Sequence, residues 1–289
     1  MSKLRVTNKE MTISMNKINV KITALVAILF VFSLTAKAQH GWEVGGGVGV
    51  AYYFGDLNTN FRLNKPGLSG TAFARYDFNP RINVKLGLGY GHISADDADS
   101  ENIFEKNRNL NFHSNIYEFT SQFEFNFFKY IHGSRDEFYT PYLFGGFTVF
   151  NFNPQTELDG TTYNLREYGT EGQFSGEEYY TTTLAATYGI GFKVDLNFEW
   201  SLNLEISARK LFMDYIDDVS TVYADPGDLE GLRGPIAPLL ADRSLRDVNI
   251  GLPGHQRGDS HGNDTYVMTN LSLVYYFGSV QCPTISKYH

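Results

Sequence analysis

The sequence predicts an all-β protein: an eight-stranded antiparallel up-and-down β-barrel that crosses a membrane, with long outer loops and short periplasmic turns. Three observations carry this expectation. The chain opens with the layout of an export signal. Its body holds eight stretches in which apolar and polar residues alternate. The links between those stretches alternate strictly between short and long, as transmembrane barrels with strands of about ten residues require.

Residues Met15 to Gln39 carry Lys17 and Lys21, an apolar run from Ile22 to Leu34, and then Ala36-Lys37-Ala38. A basic start, an apolar middle and a small-x-small ending are the parts of a secretory signal. The run is too short to span a bilayer as a helix, which takes about 20 residues. Residues 1–38 are therefore expected to be removed, residues 39–278 to form the barrel, and residues 279–289 to form a periplasmic tail. Both chain ends then face the periplasm, and the protein is expected to be integral to a bacterial outer membrane. Taking six basic and one acidic residue from the chain's 24 and 32 leaves 18 and 31, a net charge near −13. Such a chain repels phosphate backbones, so nucleic acid is not an expected partner. With 19 Tyr and 23 Phe it is too aromatic for disorder.

The alternation is plainest from Trp42 to Phe54, where Trp42, Val44, Val48, Val50, Tyr52 and Phe54 oppose Glu43, glycines, Ala51 and Tyr53. Period two places these sets on opposite faces of a strand. The same scheme runs through Leu68–Phe78, Ile82–Tyr90, Tyr117–Phe127, Leu184–Val194, Phe198–Ala208 and Tyr266–Phe277. Tyr139–Phe150 is apolar on both faces. Short links fall at Asn79-Pro80, KYIHGSRDE and Asn197, and long ones at about 56–67, 95–112, 151–178 and 214–263. A soluble sandwich has no reason to make its loops long at one end only. Aromatic strand ends (Trp42, Phe54, Phe198, Trp200, Phe277) suit the two membrane–water girdles.

A lumen of this size is filled by side chains. Glu43, Arg75, Lys85, Glu118, Glu124, Lys193, Glu199, Glu205 and Arg209 fall on the polar faces, so an ion-paired plug is expected in place of a pore. Outside the strands, KLFMDYIDDVSTVYADP sets Asp214, Asp217, Asp218 and Asp225 just beyond the seventh predicted strand. Asp56 lies only two strands away around a closed barrel. These carboxylates could take a divalent cation, but their spacing is not a twelve-residue calcium loop. Solvated acids, helix caps or rim ion pairs are the commoner use. The fifty-residue loop that follows has no evident structure of its own, which points to a binding role or to disorder.

A hydrolase would need a His beside a nucleophile. His92 and Ser94 share one face of a strand and are the best pair, ahead of His113-Ser114 and Ser260-His261. None has an elbow or metal-ligand spacing around it. Arg257-Gly258-Asp259 matches an adhesion triplet by three residues alone. Cys282, the single cysteine, is placed in an oxidising compartment, where it is either an intermolecular partner site or an inert thiol. No cofactor is expected.

Four motifs carry a resemblance: the Trp42-Glu43-Val44 opening with its glycines, YYFGDL at Tyr52–Leu57, KLFMDYIDDVSTVY, and the closing LVYYFG. Together they are similar to the PorG-like outer-membrane barrel family of the type IX secretion system. The resemblance implies a non-enzymatic structural component of a secretion and gliding machine. It implies periplasmic lipoprotein or ring partners, disulfide-linked if Cys282 is the contact, and surrounding outer-membrane lipids. It makes Asp56, Asp214, Asp217 and Asp218 a loop signature with a structural role. A surface adhesin working through its long loops, or a barrel enzyme on lipid or peptide, would be the rival assignments.

Overall fold

The computed structural model describes residues 41–245, 250–260 and 262–278. The expected signal and the tail with Cys282 lie outside the described residues. Ten strands follow in order: β1 Gly41–Phe54, β2 Gly67–Asn79, β3 Ile82–Asp96, β4 Asn111–Asn126, β5 Tyr139–Asn151, β6 Pro154–Leu158, β7 Thr161–Asn164, β8 Thr182–Asp195, β9 Trp200–Leu211 and β10 Thr265–Phe277. Eight of them close into an antiparallel barrel. Successive strands pair from β1 through β5, then β5 with β8, β8 with β9, β9 with β10 and β10 with β1. The remaining two, β6 and β7, form a small hairpin against the outer end of β4.

The faces divide as the alternation requires. Outward, Val48 is 69% and Leu88 64% exposed, and Phe147 and Ile190 join the same apolar belt. Inward, Glu43, Arg75, Glu124 and Lys193 are fully buried. A chain with its charges inside and a continuous apolar surface outside is turned inside out relative to a water-soluble protein. Its outer surface matches hydrocarbon, so this is a membrane-spanning barrel. Aromatic clusters mark the end where the described chain begins and stops: Trp42 against Tyr76 at 5.0 Å and Trp200 against Tyr275 at 5.0 Å.

Ion pairs fill the half of the lumen nearest that end. The Arg75 guanidinium pairs with Glu43 of β1 and, at 2.9 Å, with Glu124 of β4. Lys193 reaches Glu124 at 2.7 Å, and Lys85 crosses the lumen to Glu205 at 2.5 Å. One level up, Arg209 grips Glu118 with two nitrogens at 2.5 and 3.1 Å, and Tyr266 donates to the same carboxylate at 2.8 Å. The expected plug is present with one correction. Glu199 is exposed, because β9 begins at Trp200 and leaves it in the β8–β9 turn.

Two of the three short turns close on asparagine. Asn79 Oδ1 accepts from the amides of Arg81 and Ile82, and Asn197 Oδ1 accepts from those of Glu199 and Trp200. Side-chain acceptance of this kind replaces the missing ladder bonds. The third turn, 127–138, folds back over the lumen mouth and inserts His132, which composition gave no reason to place there. Its Nε2 donates to Glu43 and its Nδ1 to Asp195, both at 3.0 Å, while the ring stacks on Tyr276 at 4.0 Å. Burial works against the charged ring, but the two carboxylates prevail and raise its pKa to about 9.

A raised imidazole pKa stabilises the folded form fully below its unfolded value near 6.5, and that stabilisation is lost as pH rises through about 9. The contribution is on the order of 3 kcal/mol at its largest. The urea midpoint of the wild-type barrel in detergent should therefore exceed that of His132→Gln at pH 6, with the two converging by about pH 10. A gap that persisted unchanged at high pH would show that the ring acts by packing and not by charge.

Candidate functional site

At the opposite end, the described residues of the four long links (55–66, 97–110, 152–181, and 212–245, 250–260 and 262–264) fold into a cap over the barrel mouth. Its underside is apolar. Tyr53, Ile93, Phe112, Ile116, Phe150 and Met268 from the strands meet Leu57, Leu110, Leu165, Ile216, Val219 and Leu240 from the loops. The DYIDDVS stretch thus reads as alternate anchors and acids: Ile216 and Val219 are buried in the core, while Asp217 between them meets Tyr53 and Asp218 meets Thr170 and Tyr179.

The longest link has structure that its sequence did not advertise. Helices α3 (Pro226–Arg233) and α4 (Ile236–Ala241) follow the acidic stretch, and Val222 bridges to Gln256. In chain order they come after α1 (Ile103–Arg108) and α2 (Leu165–Tyr168). Asp225 caps α3, accepting from the amides of Gly227 and Asp228 with Pro226 in the first turn. That is a recognisable start signal, so the absence of structure expected for this loop is corrected.

The four signature aspartates take two different situations. Asp218 has a left-handed backbone (φ +67°), which Asp tolerates better than most residues. Its carboxylate accepts from Thr170 at 2.5 Å and Tyr179 at 2.7 Å, and Arg257 stands at 3.7 Å. Burial raises its pKa to about 6 against the pull of Arg257. Asp56, Asp214 and Asp217 gather on the other side with Asp264, which immediately precedes β10. Tyr53 donates at 2.5 Å to Asp217 and lies 3.0 Å from Asp264. Asp217 and Asp264 also accept from the amides of Val219 and Ile216. Burial first, and their acidic neighbours second, hold both carboxyls well above the usual carboxylate range. The same causes raise Asp214 to about 7, with Asp56 its nearest acidic influence. Burial raises Asp56 to about 6, opposed by the Asp259 amide and by Arg108. Solvated rim acids, the commoner use, are therefore not what forms here: Asp217 and Asp218 are each 1% exposed.

The GDL motif finds its reason at the same place. A Cβ on Gly55 would lie 1.9 Å from Asp264 Oδ1 and 2.2 Å from the Tyr53 hydroxyl, so only glycine lets the chain pass. Leu57 enters the apolar underside, and Asp56 Oδ1 accepts from the Asp259 amide at 2.8 Å.

Two buried arginines join all four links. Arg108 pairs with Asp97 through two nitrogens and donates to the carbonyls of Asp56 at 2.8 Å and Arg257 at 2.6 Å. Arg257 donates to Glu171 at 3.1 Å and to the carbonyls of Asp218 at 2.5 Å and Ala241 at 3.2 Å. Glu171 in turn accepts from Ser220, Thr221 and Tyr215. Arg257 is 1% exposed, so the arginine of the RGD triplet is a structural clamp and is not displayed. The His92 ring lies beside Asn115 at 2.9 Å and faces outward, as does Ser94. No bond joins His92 to Ser94 among the described residues.

Asp264, Glu171 and Arg108 escaped the sequence reading, which met Tyr53 only as a strand residue and Arg257 only as part of a triplet. One signal was available for Asp264. In a closed barrel the last strand pairs with the first, so the residue before β10 must face the residue after β1.

A family model, DUF6089 (domain of unknown function), matches residues 21–227, and the chain belongs to that family. No curated protein sequence matches it. Among solved structures it is similar to the outer membrane protein OprG of Pseudomonas aeruginosa, at 12% identity over 84% of this chain and 98% of that one, TM-score 0.42. Neisserial surface protein A gives 9% identity over 82% and 97%, TM-score 0.41. The attachment invasion locus protein Ail of Yersinia pestis gives 10% identity over 83% and 99%, TM-score 0.40.

Tyr53→Phe should leave the Asp217 and Asp264 carboxyls without their shared donor, at a cost of about 1–3 kcal/mol. Cleavage at Arg233 and Arg243 by limiting trypsin should then accelerate about tenfold or more, since proteolysis of a briefly opened loop follows the open population. The barrel's heat-modifiable migration on gels should be unchanged. An unaltered cleavage rate would mean that the acid cluster does not hold the cap shut.

Proposed function

We propose that this chain is a non-enzymatic β-barrel of the bacterial outer membrane, a component of a type IX secretion and gliding machinery that anchors periplasmic ring partners. The observation that carries this reading is the filled lumen. Lys85–Glu205, Arg75–Glu43 and Arg209–Glu118 occupy the space a conduit would need, which leaves the two rims as working surfaces. The motif resemblance supplies the particular machine. On this reading the rim bearing both chain ends faces the periplasm. The short turns and the tail meet a lipoprotein or ring protein there, and Cys282 provides the thiol for a disulfide-linked contact.

A second reading, an adhesin or ligand-binding barrel, is favoured by one specific feature. The cap is an ordered body that exposes Phe174, Tyr180 and Leu232, and exposed aromatic groups on a rigid support suit recognition.

The test is a mild-detergent pull-down of the tagged full chain from outer membranes, run non-reducing, for wild type and Cys282→Ser. Recovery of periplasmic ring or lipoprotein components with wild type, together with a higher-mass adduct lost in Cys282→Ser, is the expected outcome. A barrel recovered alone from both strains would reject the secretion role. In that case loss of surface binding on replacing Phe174 and Tyr180 by Ser would favour the adhesin.

A further inference from the structure

The cap holds an oxygen-lined site that its own hydrogen bonds do not complete. Asp56 follows β1 and Asp214 follows β9, so the two flank β10 at the rim. Each uses one carboxylate oxygen within the protein: Asp56 Oδ1 accepts from the Asp259 amide at 2.8 Å, and Asp214 Oδ2 from the Ser220 hydroxyl at 3.0 Å. The other oxygens, Asp56 Oδ2 and Asp214 Oδ1, are buried with no hydrogen-bond partner, in residues only 8% and 9% exposed.

Ser220 and Gly258 lie between the two carboxylates. A Cβ added to Gly258 would lie 2.8 Å from Asp56 Oδ2 and 2.7 Å from the backbone nitrogen of Ser220, whose hydroxyl holds Asp214. The nearby guanidinium groups are engaged elsewhere, Arg108 with Asp97 and Arg257 with Glu171. Among the described residues no lysine or arginine forms an ion pair with Asp56, Asp214, Asp217 or Asp264. Removing a carboxylate oxygen from water without a partner is costly. A groove of about 510 Å³, lined by Asp56, Asn58, Thr59, Asp259 and Lys210, opens from outside beside Asp56.

We propose that Asp56 and Asp214 bind one divalent cation of the calcium type in the cap, with backbone carbonyls and water completing its shell. Calcium is the better match because it accepts irregular oxygen shells of six to eight ligands, whereas magnesium demands near-octahedral geometry. Two carboxylates on a loop scaffold place the affinity among extracellular calcium modules, with a Kd of about 0.1–1 mM. The cation would add a second tie between the first link and the fourth, beside the Asp259 amide bond to Asp56. This site stands independently of the secretion role.

The test is calorimetric titration of CaCl2, with MgCl2 as comparison, into the full-length folded barrel in detergent. Asp56→Asn, Asp214→Asn and the control Asp136→Asn on the opposite rim would be run alongside wild type, and folding of each verified by heat-modifiable migration. One calcium per chain is expected for wild type and Asp136→Asn, with at least tenfold weaker binding in each site variant and weaker binding of magnesium throughout. Wild-type trypsin cleavage at Arg233 and Arg243 should slow when calcium is added, even if a site variant fails to fold. No calcium uptake by folded wild type at 5–10 times the expected Kd, about 5 mM, would overturn the site. So would equal uptake by folded Asp56→Asn and Asp214→Asn.

Discussion

Lys85 on β3 and Glu205 on β9 stand on opposite strands of the barrel and meet at 2.5 Å. That contact sets the terms for everything around it. A closed sheet of eight strands is only wide enough for side chains, so a charge pointing inward must find an opposite charge there or not be there. The acids Glu43, Glu118, Glu124 and Glu205 are matched by Arg75, Lys85, Lys193 and Arg209, and Tyr142 and Gln122 supply further donors to Glu205. Separating such a pair would leave ions in a low-dielectric interior at several kcal/mol each. The lumen is therefore closed by its own electrostatics, and the outward apolar belt follows from the same strand alternation that placed the charges inside.

At the long-loop end the constraint has a different outcome. There the strands run past the charged layers, and their inward residues turn apolar: Ile93, Ile116, Phe150 and Met268. A surface of that kind needs a lid, and the loops provide one by inserting Leu57, Ile216 and Val219. Docking those anchors drags the intervening aspartates out of water. Asp217 and Asp264 meet this by sharing the Tyr53 hydroxyl, and Asp218 by facing Arg257. Asp56 and Asp214 are left incompletely satisfied. The acid cluster is thus a consequence of how the lid is pinned.

Much of this was legible in the sequence, because period-two alternation reports directly which face is buried. Eight strands, the short-long rhythm of their links and nearly all of the interior charges came from that pattern. Its failures lie where local pattern says nothing about distant partners. Glu199 fits the alternation, yet the Asn197 turn takes up the chain before pairing begins. β3 extends to Asp96 and β4 starts at Asn111, because their outer halves pair with each other and no longer follow a simple apolar rhythm. His132 sits in a turn whose composition looks solvated, and only the approach of Glu43 and Asp195 from other strands draws it inward. Asp264 and Glu171 are ordinary loop acids until Tyr53 and Arg257 are brought beside them. Long-range electrostatic partners are fixed by closure of the sheet, and closure is not a local property.

The two ends of the barrel consequently differ in kind. At the lower mouth, His132, Tyr130 and Asp195 bind one turn to the strands, so that end is a fixed platform continuous with the charged lumen. At the upper mouth, Arg108 and Arg257 connect four separate links by donating to backbone carbonyls as well as to acids. A guanidinium that holds carbonyls of two links at once transmits any shift in one of them to the other, since its planar fork permits few alternative geometries. Movement of the Asp56 segment must therefore be felt at Arg257, and through it at Glu171 and Asp218. The two guanidinium groups thus tie Asp56, Asp97, Glu171 and Asp218, one residue from each link, into a single network.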